Sequence, residues 1–265
     1  MRRSLLNGIA CLLLGLVLTA PSHAQGHESG ASPYRVLQMN LCLSGLAGCF
    51  PRTHYRSVVD EAATRIEETH ADAVTLDEAC SGDVAALARR TGYDSRFAIV
   101  TYQGAPLPCR NPDGRGFFGN AVLTKEHIRS SKDAAYVGQD GVEERRWICA
   151  TSARDITVCG THLATRGTAS AAGVNDAQCL EFGRVLADLA RNGPTVAAGD
   201  MNRLPSCAPA DMTSYDDASA GQAPGIQHAY LSSSFVDGRE STIPMTYTDH
   251  DALLIGVGRL VPGPR

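Results

Sequence analysis

The sequence predicts an α/β domain in which β-sheets pack face to face with helices outside them. Many segments read as hydrophobic strands and only three as clear helices, a ratio that buries apolar faces best when sheet packs on sheet. No repeat and no long linker divides the chain, so a single domain is expected over residues 34–265. The 265 residues are 43% hydrophobic and 20% charged. That profile excludes a disordered chain, a coiled coil and a collagen-like repeat.

The elements follow in order. Tyr34–Leu41 reads as a strand, with Val36, Leu37 and Met39 apolar and Asn40 at its end. His54–Thr69 places Val58, Val59, Ala62, Ala63 and Ile66 at helical spacing. Ala73–Leu76 is a short buried strand running into Asp77-Glu78, followed by a helix at Asp83–Arg90 and a strand at Arg96–Tyr102. Gln103–Gly116 carries Pro and Gly throughout and reads as a loop. Phe117–Thr124, Arg146–Thr151 and Ile156–His162 read as strands. Asn175–Arg191 is an amphipathic helix with Leu180, Val185, Leu186 and Leu189 inward. Thr195–Ala198 is a strand stopping at Gly199-Asp200, and Ser206–Gly225 is turn-rich. Ala229–Phe235 and Ala252–Val257 are the last two strands.

The amino terminus reads as an address. Arg2 and Arg3 precede a continuous apolar run from Leu12 to Leu18, and Ser22-His23-Ala24 offers the small residues of a cleavage site. Residues 1–24 are thus expected to be a signal peptide cleaved after Ala24, residues 25–33 a loose segment, and the protein a secreted one without a stable membrane anchor, as a monomer. The apolar run is short for a bilayer span. Cleavage removes Arg2 and Arg3 and no acid, taking the formal charge from −4 to −6. Such a balance excludes a strongly basic nucleic-acid coat protein, although a bound cation lets an acidic protein handle phosphate esters.

Cysteine usage agrees with export. Eight cysteines follow the leader, no CxxC pair occurs, and an even number in an exported chain reads as disulfides. Cys42 and Cys49 bracket one short loop, and Cys149 and Cys159 lie on consecutive strands where they face each other. Elimination then pairs Cys80 with Cys109 and Cys179 with Cys207.

The chemistry lies at strand ends. Met39-Asn40, Leu76-Asp77-Glu78, Gly160-Thr161-His162, Gly199-Asp200-Met201-Asn202 and Thr248-Asp249-His250 each place polar groups after apolar residues. Strand ends on one sheet edge converge, and ligands bind where they converge. The set holds the carboxylates Glu78, Asp200 and Asp249, the amides Asn40 and Asn202, and the imidazoles His162 and His250. Carboxylate and amide oxygens suit a hard divalent ion such as Mg²⁺, with Mn²⁺ or Ca²⁺ as alternatives. The two His suit general acid–base work near neutral pH. Asp200 and Asn202 are two apart, so extended backbone points both the same way.

These motifs, in this order, resemble the endonuclease/exonuclease/phosphatase superfamily, which includes deoxyribonuclease I, abasic-site endonucleases, bacterial sphingomyelinases and inositol phosphatases. The resemblance covers nearly the whole mature chain. It implies a four-layer α/β/β/α sandwich, deoxyribonuclease I-like, and metal-dependent hydrolysis of phosphate esters. By resemblance, Glu78 is the main metal ligand, with Asn40 and Asp249 completing the shell. His250 is the general base, Asp200 and Asn202 orient the nucleophile and bind a phosphate oxygen, and His162 contacts the phosphate. Arg146, or alternatively Arg145, matches a phosphate-clamping arginine.

Three positions depart from the family pattern. Gln227 stands where an Asp commonly supports the base His, which puts turnover in question or passes the role to Asp216 or Asp217. Cys80 and Phe117 stand where some nucleases have a DNA-contacting Arg and a phosphate-binding Tyr. Extracellular nucleic acid is the first substrate expected. A phospholipid or sphingomyelin phosphodiesterase is the second reading, against which no aromatic hairpin is evident. A catalytically weak binding module or toxin subunit is the third.

Overall fold

The computed structural model describes residues 31–260 apart from Asp140 and Val142. The expected signal peptide, residues 1–24, lies outside the described residues, as do residues 25–30 of the expected loose segment. Its last residues, Ser32 and Pro33, belong to the first strand.

The strands are β1 (Ser32–Asn40), β2 (Ala73–Cys80), β3 (Asp94–Ile99), β4 (Thr101–Tyr102), β5 (Ala105–Pro106), β6 (Phe118–Thr124) and β7 (Ile128–Ala135). They continue with β8 (Arg146–Ser152), β9 (Thr157–His162), β10 (Thr195–Asp200), β11 (Met212–Asp216), β12 (Gln227–Ser232), β13 (Phe235–Ile243) and β14 (Ala252–Arg259). The helices are α1 (Ser57–Thr69), α2 (Ser81–Thr91) and α3 (Ala169–Asn192). One six-stranded sheet runs β13-β14-β1-β2-β6-β3, the other β11-β12-β10-β9-β8-β7, and β4 and β5 form a separate hairpin.

Strand periodicity builds the layers. Tyr34 and Val36 of β1 point between the sheets, where they meet Ile148, Val158, Val196, Ala229 and Ile255. The alternate residues Leu37 and Met39 pack with Val58, Ala62 and Ile66 of α1 and Val84 and Leu87 of α2. On the far side, Phe182 and Leu186 of α3 pack with Cys159, Ala197 and Tyr230. The order is therefore helix, sheet, sheet, helix: the four-layer α/β/β/α sandwich.

The inter-sheet face changes character along the strands, and this change creates the site. The inward series Val36, Gln38, Asn40 passes from apolar to polar, as do Ala73, Thr75, Asp77 on β2 and Val158, Gly160, His162 on β9. Gly199 has no choice of side chain, because a Cβ would fall 1.9 Å from the Thr161 carbonyl oxygen.

The four expected disulfides all form: Cys42–Cys49, Cys80–Cys109, Cys149–Cys159 and Cys179–Cys207. The first two close loops directly after Asn40 and Glu78. Buried Arg115 braces the same region. It pairs with Asp83 at 2.9 Å, donates to the Leu43 carbonyl at 2.7 Å, and lies 4.4 Å over the Tyr55 ring. Arg115→Ala is expected to destabilise the fold by about 3–5 kcal/mol in urea unfolding, because Asp83 is left buried without its cation.

Candidate active site

Five strand ends and their following turns meet in a cavity of about 510 Å³ lined by Glu78, Arg145, His162, Asp200, Asn202 and His250, among others. Asn40 is buried and does not itself line the cavity, but it joins two residues that do: its Nδ2 donates to Glu78 Oε1 and to Asp200 Oδ2, each at 3.1 Å. Asn40 thus reaches a carboxylate 160 positions away in sequence.

Local backbone aims these side chains. The β2–β6 ladder breaks its register between Leu76 and Ala79, and Glu78 sits in that bulge with φ +51°. A left-handed conformation is costly for a non-glycine residue and recurs where a side chain must be redirected. Asn202 also has φ +51°. It reaches the cavity through this turn, rather than through the extended backbone that its two-residue spacing from Asp200 implies. Its backbone N–H donates to Asp200 Oδ1 at 2.9 Å, and its Nδ2 lies 2.9 Å from His162 Nε2.

Asp200 is the hub. Its Oδ2 takes Asn40 and lies 3.3 Å from His250 Nε2 and 3.7 Å from His162 Nε2. Its backbone N–H donates to Asp77 Oδ2 at 2.7 Å, a bond joining β10 of one sheet to β2 of the other. Asp77 also accepts from Gln38 Nε2 at 2.8 Å. Asp251 accepts from the backbone N–H groups of Gly221 and Met245, at 2.7 and 3.2 Å, and so fixes the turn carrying Asp249-His250. Asp77, Gln38 and Asp251 are structural partners that the motif pattern does not single out; for Asp77 the one signal is a carboxylate on the inward register of β2.

The charges are arranged unevenly. Burial pushes the Glu78 carboxyl up to about 7, against the pull of Asn40 and Arg145. Burial also drives His162 down to about 3, with Arg145 adding to it, so His162 is neutral at physiological pH. Burial works the same way on His250, but the carboxylates of Asp200 and Asp249 overcome it and push that imidazole up to about 10. Asp200 is held well below the usual carboxylate range despite its burial, because His250, His162 and the Asn202 N–H stabilise its charge.

Several expectations change at this point. The arginine in the cavity is Arg145. Arg146, the first choice, does not line it; its guanidinium pairs with Asp133 at 2.5 Å and Glu144 at 2.8 Å and donates to the Ile99 carbonyl. Neither Asp216 nor Asp217 supports His250. Asp217 accepts from Gln227 Nε2 at 3.0 Å, and Gln227 donates its other amide proton to the Asp251 carbonyl. The acid on His250 Nδ1 is Asp249, at 2.9 Å. Asp249 therefore contacts the imidazole, while the carboxylate that shares the Asn40 amide with Glu78 is Asp200. Cys80 is disulfide-bonded, and Phe118 rather than Phe117 lines the cavity.

The donor set fits a divalent cation. Two recessed carboxylates, Glu78 and Asp200, converge on the Asn40 amide with the His162 ring beside both, and the one arginine of the lining is paired with Glu143 at 3.2 Å. Buried negative charge of this kind favours a hard ion held by one or two carboxylates plus a substrate phosphate. Because Glu78 titrates near 7 without metal, a cation must displace its proton in acid. Mn²⁺ affinity of the metal-free protein is expected to fall about tenfold per unit as pH drops below 7, by calorimetry.

A model of the family described as Endonuclease/Exonuclease/phosphatase family matches residues 48–250. No curated protein matches the chain. Among solved structures, an endonuclease/exonuclease/phosphatase from Beutenbergia cavernae is 18% identical over 86% of this chain and 72% of that one, with TM-score 0.64. The human Nocturnin catalytic domain is 16% identical over 86% of this chain and 93% of its own, with TM-score 0.67. TDP2 from Caenorhabditis elegans is 12% identical over 86% and 74%, with TM-score 0.59. At these identities the likeness is one of fold.

Proposed function

Because the chain belongs to the endonuclease/exonuclease/phosphatase family, whose members are metal-dependent phosphoester hydrolases, we propose that its cavity hydrolyses phosphodiesters of nucleic-acid origin outside the cell. The observation that carries this reading is His250 held between Asp249 and Asp200, in the same cavity as the Glu78–Asn40 pair. Glu78 and Asp200 would hold the cation, which would supply charge neutralisation at the phosphate oxygens, and Asn40, expected as a third ligand, instead presents its NH₂ to both carboxylates and orients them while its Oδ1 accepts from the Cys42 N–H. With a cation on Asp200 offsetting part of the negative charge that raises His250, the neutral imidazole is favoured and takes a proton from the attacking water as the new P–O bond forms, with Asp249 stabilising the resulting imidazolium. The leaving oxygen departs with the electrons of the broken P–O bond and gains a proton from solvent. Asn202 Nδ2 donates to His162 Nε2 and to the Leu163 carbonyl, which leaves neutral His162 its Nδ1–H as the donor for a phosphate oxygen, and Arg145 adds a positive charge at the rim.

Four disulfides are compatible with secretion, and among the described residues no helix is long and apolar enough to cross a membrane. The test is hydrolysis of a plasmid, a single-stranded oligonucleotide and bis-p-nitrophenyl phosphate with Mg²⁺ and with EDTA. EDTA-sensitive cleavage of at least one is expected. Absence of cleavage of all three, with Mg²⁺, Mn²⁺ or Ca²⁺, favours the binding module instead.

A further inference from the structure

The cavity has two unlike halves. The floor is polar and holds the groups described above. The wall is apolar, built from Leu46 and Ala47 beside Ser44, from Tyr102 of the β4–β5 hairpin, and from Leu107 and Phe118. Leu46 is 56% exposed and Tyr102 39%, so part of this wall is left uncovered at the mouth of a polar site. Large apolar side chains held open beside a polar centre mark a ligand surface.

The wall is preformed. The backbone N–H groups of Leu46 and Ala47 both donate to Ser44 Oγ at 3.1 Å, inside the loop closed by Cys42–Cys49. Leu107 N–H donates to the Val100 carbonyl at 3.2 Å, and Phe118 N–H to the Leu107 carbonyl at 2.8 Å. Glu144 N–H donates to the Thr101 carbonyl at 2.9 Å, which ties the hairpin to the segment entering β8. Cys80–Cys109 closes the same wall from behind.

Charge limits what fits. Glu78, Glu143 and Asp200 line the cavity, and Arg145, the one Lys or Arg among the lining residues, is already paired with Glu143. Proteins that track a nucleic-acid strand supply a row of cations beside successive phosphates. A cation on Glu78 and Asp200 leaves room for one phosphate group, not for a run of them. An acyl chain would need an apolar surface free of polar groups, and here Ser44 and Glu143 are set into it.

Resting on the phosphoester reading above, we infer that the substrate is a small nucleoside phosphoester, with its base against Tyr102, Leu46 and Leu107 and its single phosphate on the polar floor. Tyr102 offers a ring for stacking, and Ser44 Oγ and the Glu143 carboxylate offer polar partners to the base edge. Selectivity then comes from the wall and turnover from the floor, and the two are separable.

The experiment measures binding as well as turnover. Calorimetry with Mg²⁺ compares AMP with inorganic phosphate on the wild-type protein, on Tyr102→Ala and on Leu46→Asn. AMP is expected to bind wild type about tenfold more tightly than phosphate or better, the scale of stacking one base on an aromatic side chain. Both variants are expected to lose most of that preference while binding phosphate as before. In parallel, Tyr102→Ala should raise KM for the p-nitrophenyl ester of thymidine 5′-phosphate about tenfold with kcat little changed. Equal affinity for AMP and phosphate in wild type, or an AMP preference untouched by both variants, overturns the inference. So does tighter binding of a 20-residue oligonucleotide or of sphingomyelin vesicles than of AMP. Absence of any EDTA-sensitive hydrolysis instead overturns the proposed function, and leaves the AMP preference to be judged by calorimetry alone.

Discussion

Asp200→Asn is expected to lower kcat/KM for any phosphodiester by about 10⁴-fold while the protein keeps its fold. The size follows from how many groups converge on this side chain. Asp200 Oδ2 receives Asn40 and faces His250, and Oδ1 receives the Asn202 N–H. An amide places an NH₂ where one of these oxygens accepts, so either the base His250 or the nucleophile-orienting Asn202 loses its partner. It also removes one of the two carboxylates that meet at Asn40, which weakens cation binding. Residues that act as a unit lose activity together, so one substitution costs nearly as much as several. Folding survives because the amide has the same shape and needs less solvation than a buried carboxylate. The backbone N–H bond to Asp77 is unaffected, and that bond is what ties the two sheets. The check is single-turnover kinetics with thermal unfolding on the same preparation. A variant within tenfold of wild type removes Asp200 from the chemistry.

The central strands and the first two helices were legible because they bury apolar residues in regular spacing, whereas the third helix begins at Ala169 rather than Asn175 and turns Leu180, expected inward, out to solvent at 65% exposure. The strands that sequence periodicity misses are β7, β11 and β13, and each is the edge of a sheet. Edge strands carry polar, exposed residues that discourage pairing with other chains, as Arg129 to Asp133 do in β7. Their pairing is dictated by neighbours remote in the chain, which no local pattern records. The short hairpin at β4 and β5 is hidden for a related reason, since it lies in a Pro- and Gly-rich stretch and presents Tyr102 from an otherwise loop-like segment. The site was legible as a set of residue types at strand ends. What spacing does not show is which partner each side chain takes. Gln227 lies opposite Asp200 in the β10–β12 ladder yet turns to Asp217, and Arg145 and Arg146 are adjacent with only the first facing the cavity. Those choices depend on the bulge at Glu78, the turn at Asn202 and the Asp251 anchor, all tertiary features.

Asp249→Asn is expected to lower kcat by about 10²- to 10⁴-fold, and to do so with a distinctive pH signature. His250 Nδ1 donates to Asp249 Oδ1 at 2.9 Å, and Nε2, 3.3 Å from Asp200 Oδ2, is the nitrogen on the cavity side that would take the reacting proton. An asparagine in that place offers an NH₂ as readily as an oxygen, and a donor facing Nδ1 selects the opposite tautomer. The direction of the titration follows from the charges. Asp200 and Asp249 together overcome burial to raise His250 to about 10, so removing the Asp249 charge must lower it. In metal-free protein the His250 imidazole resonances are expected to titrate at lower pH in the variant than in wild type. A rise, or no change with full activity, assigns Asp249 elsewhere. The contrast is Gln227→Asp, which restores the residue type common in the family at that position. Gln227 is buried against Asp217 and does not touch His250. A carboxylate there faces a like charge already raised in pKa by burial, with no base to support. It is expected to lower the urea midpoint and to leave turnover no higher than wild type. Together the pair of variants separates two explanations for a base without the usual partner. A loss with Asp249→Asn and no gain with Gln227→Asp means that the acid has moved one residue upstream of the histidine it serves.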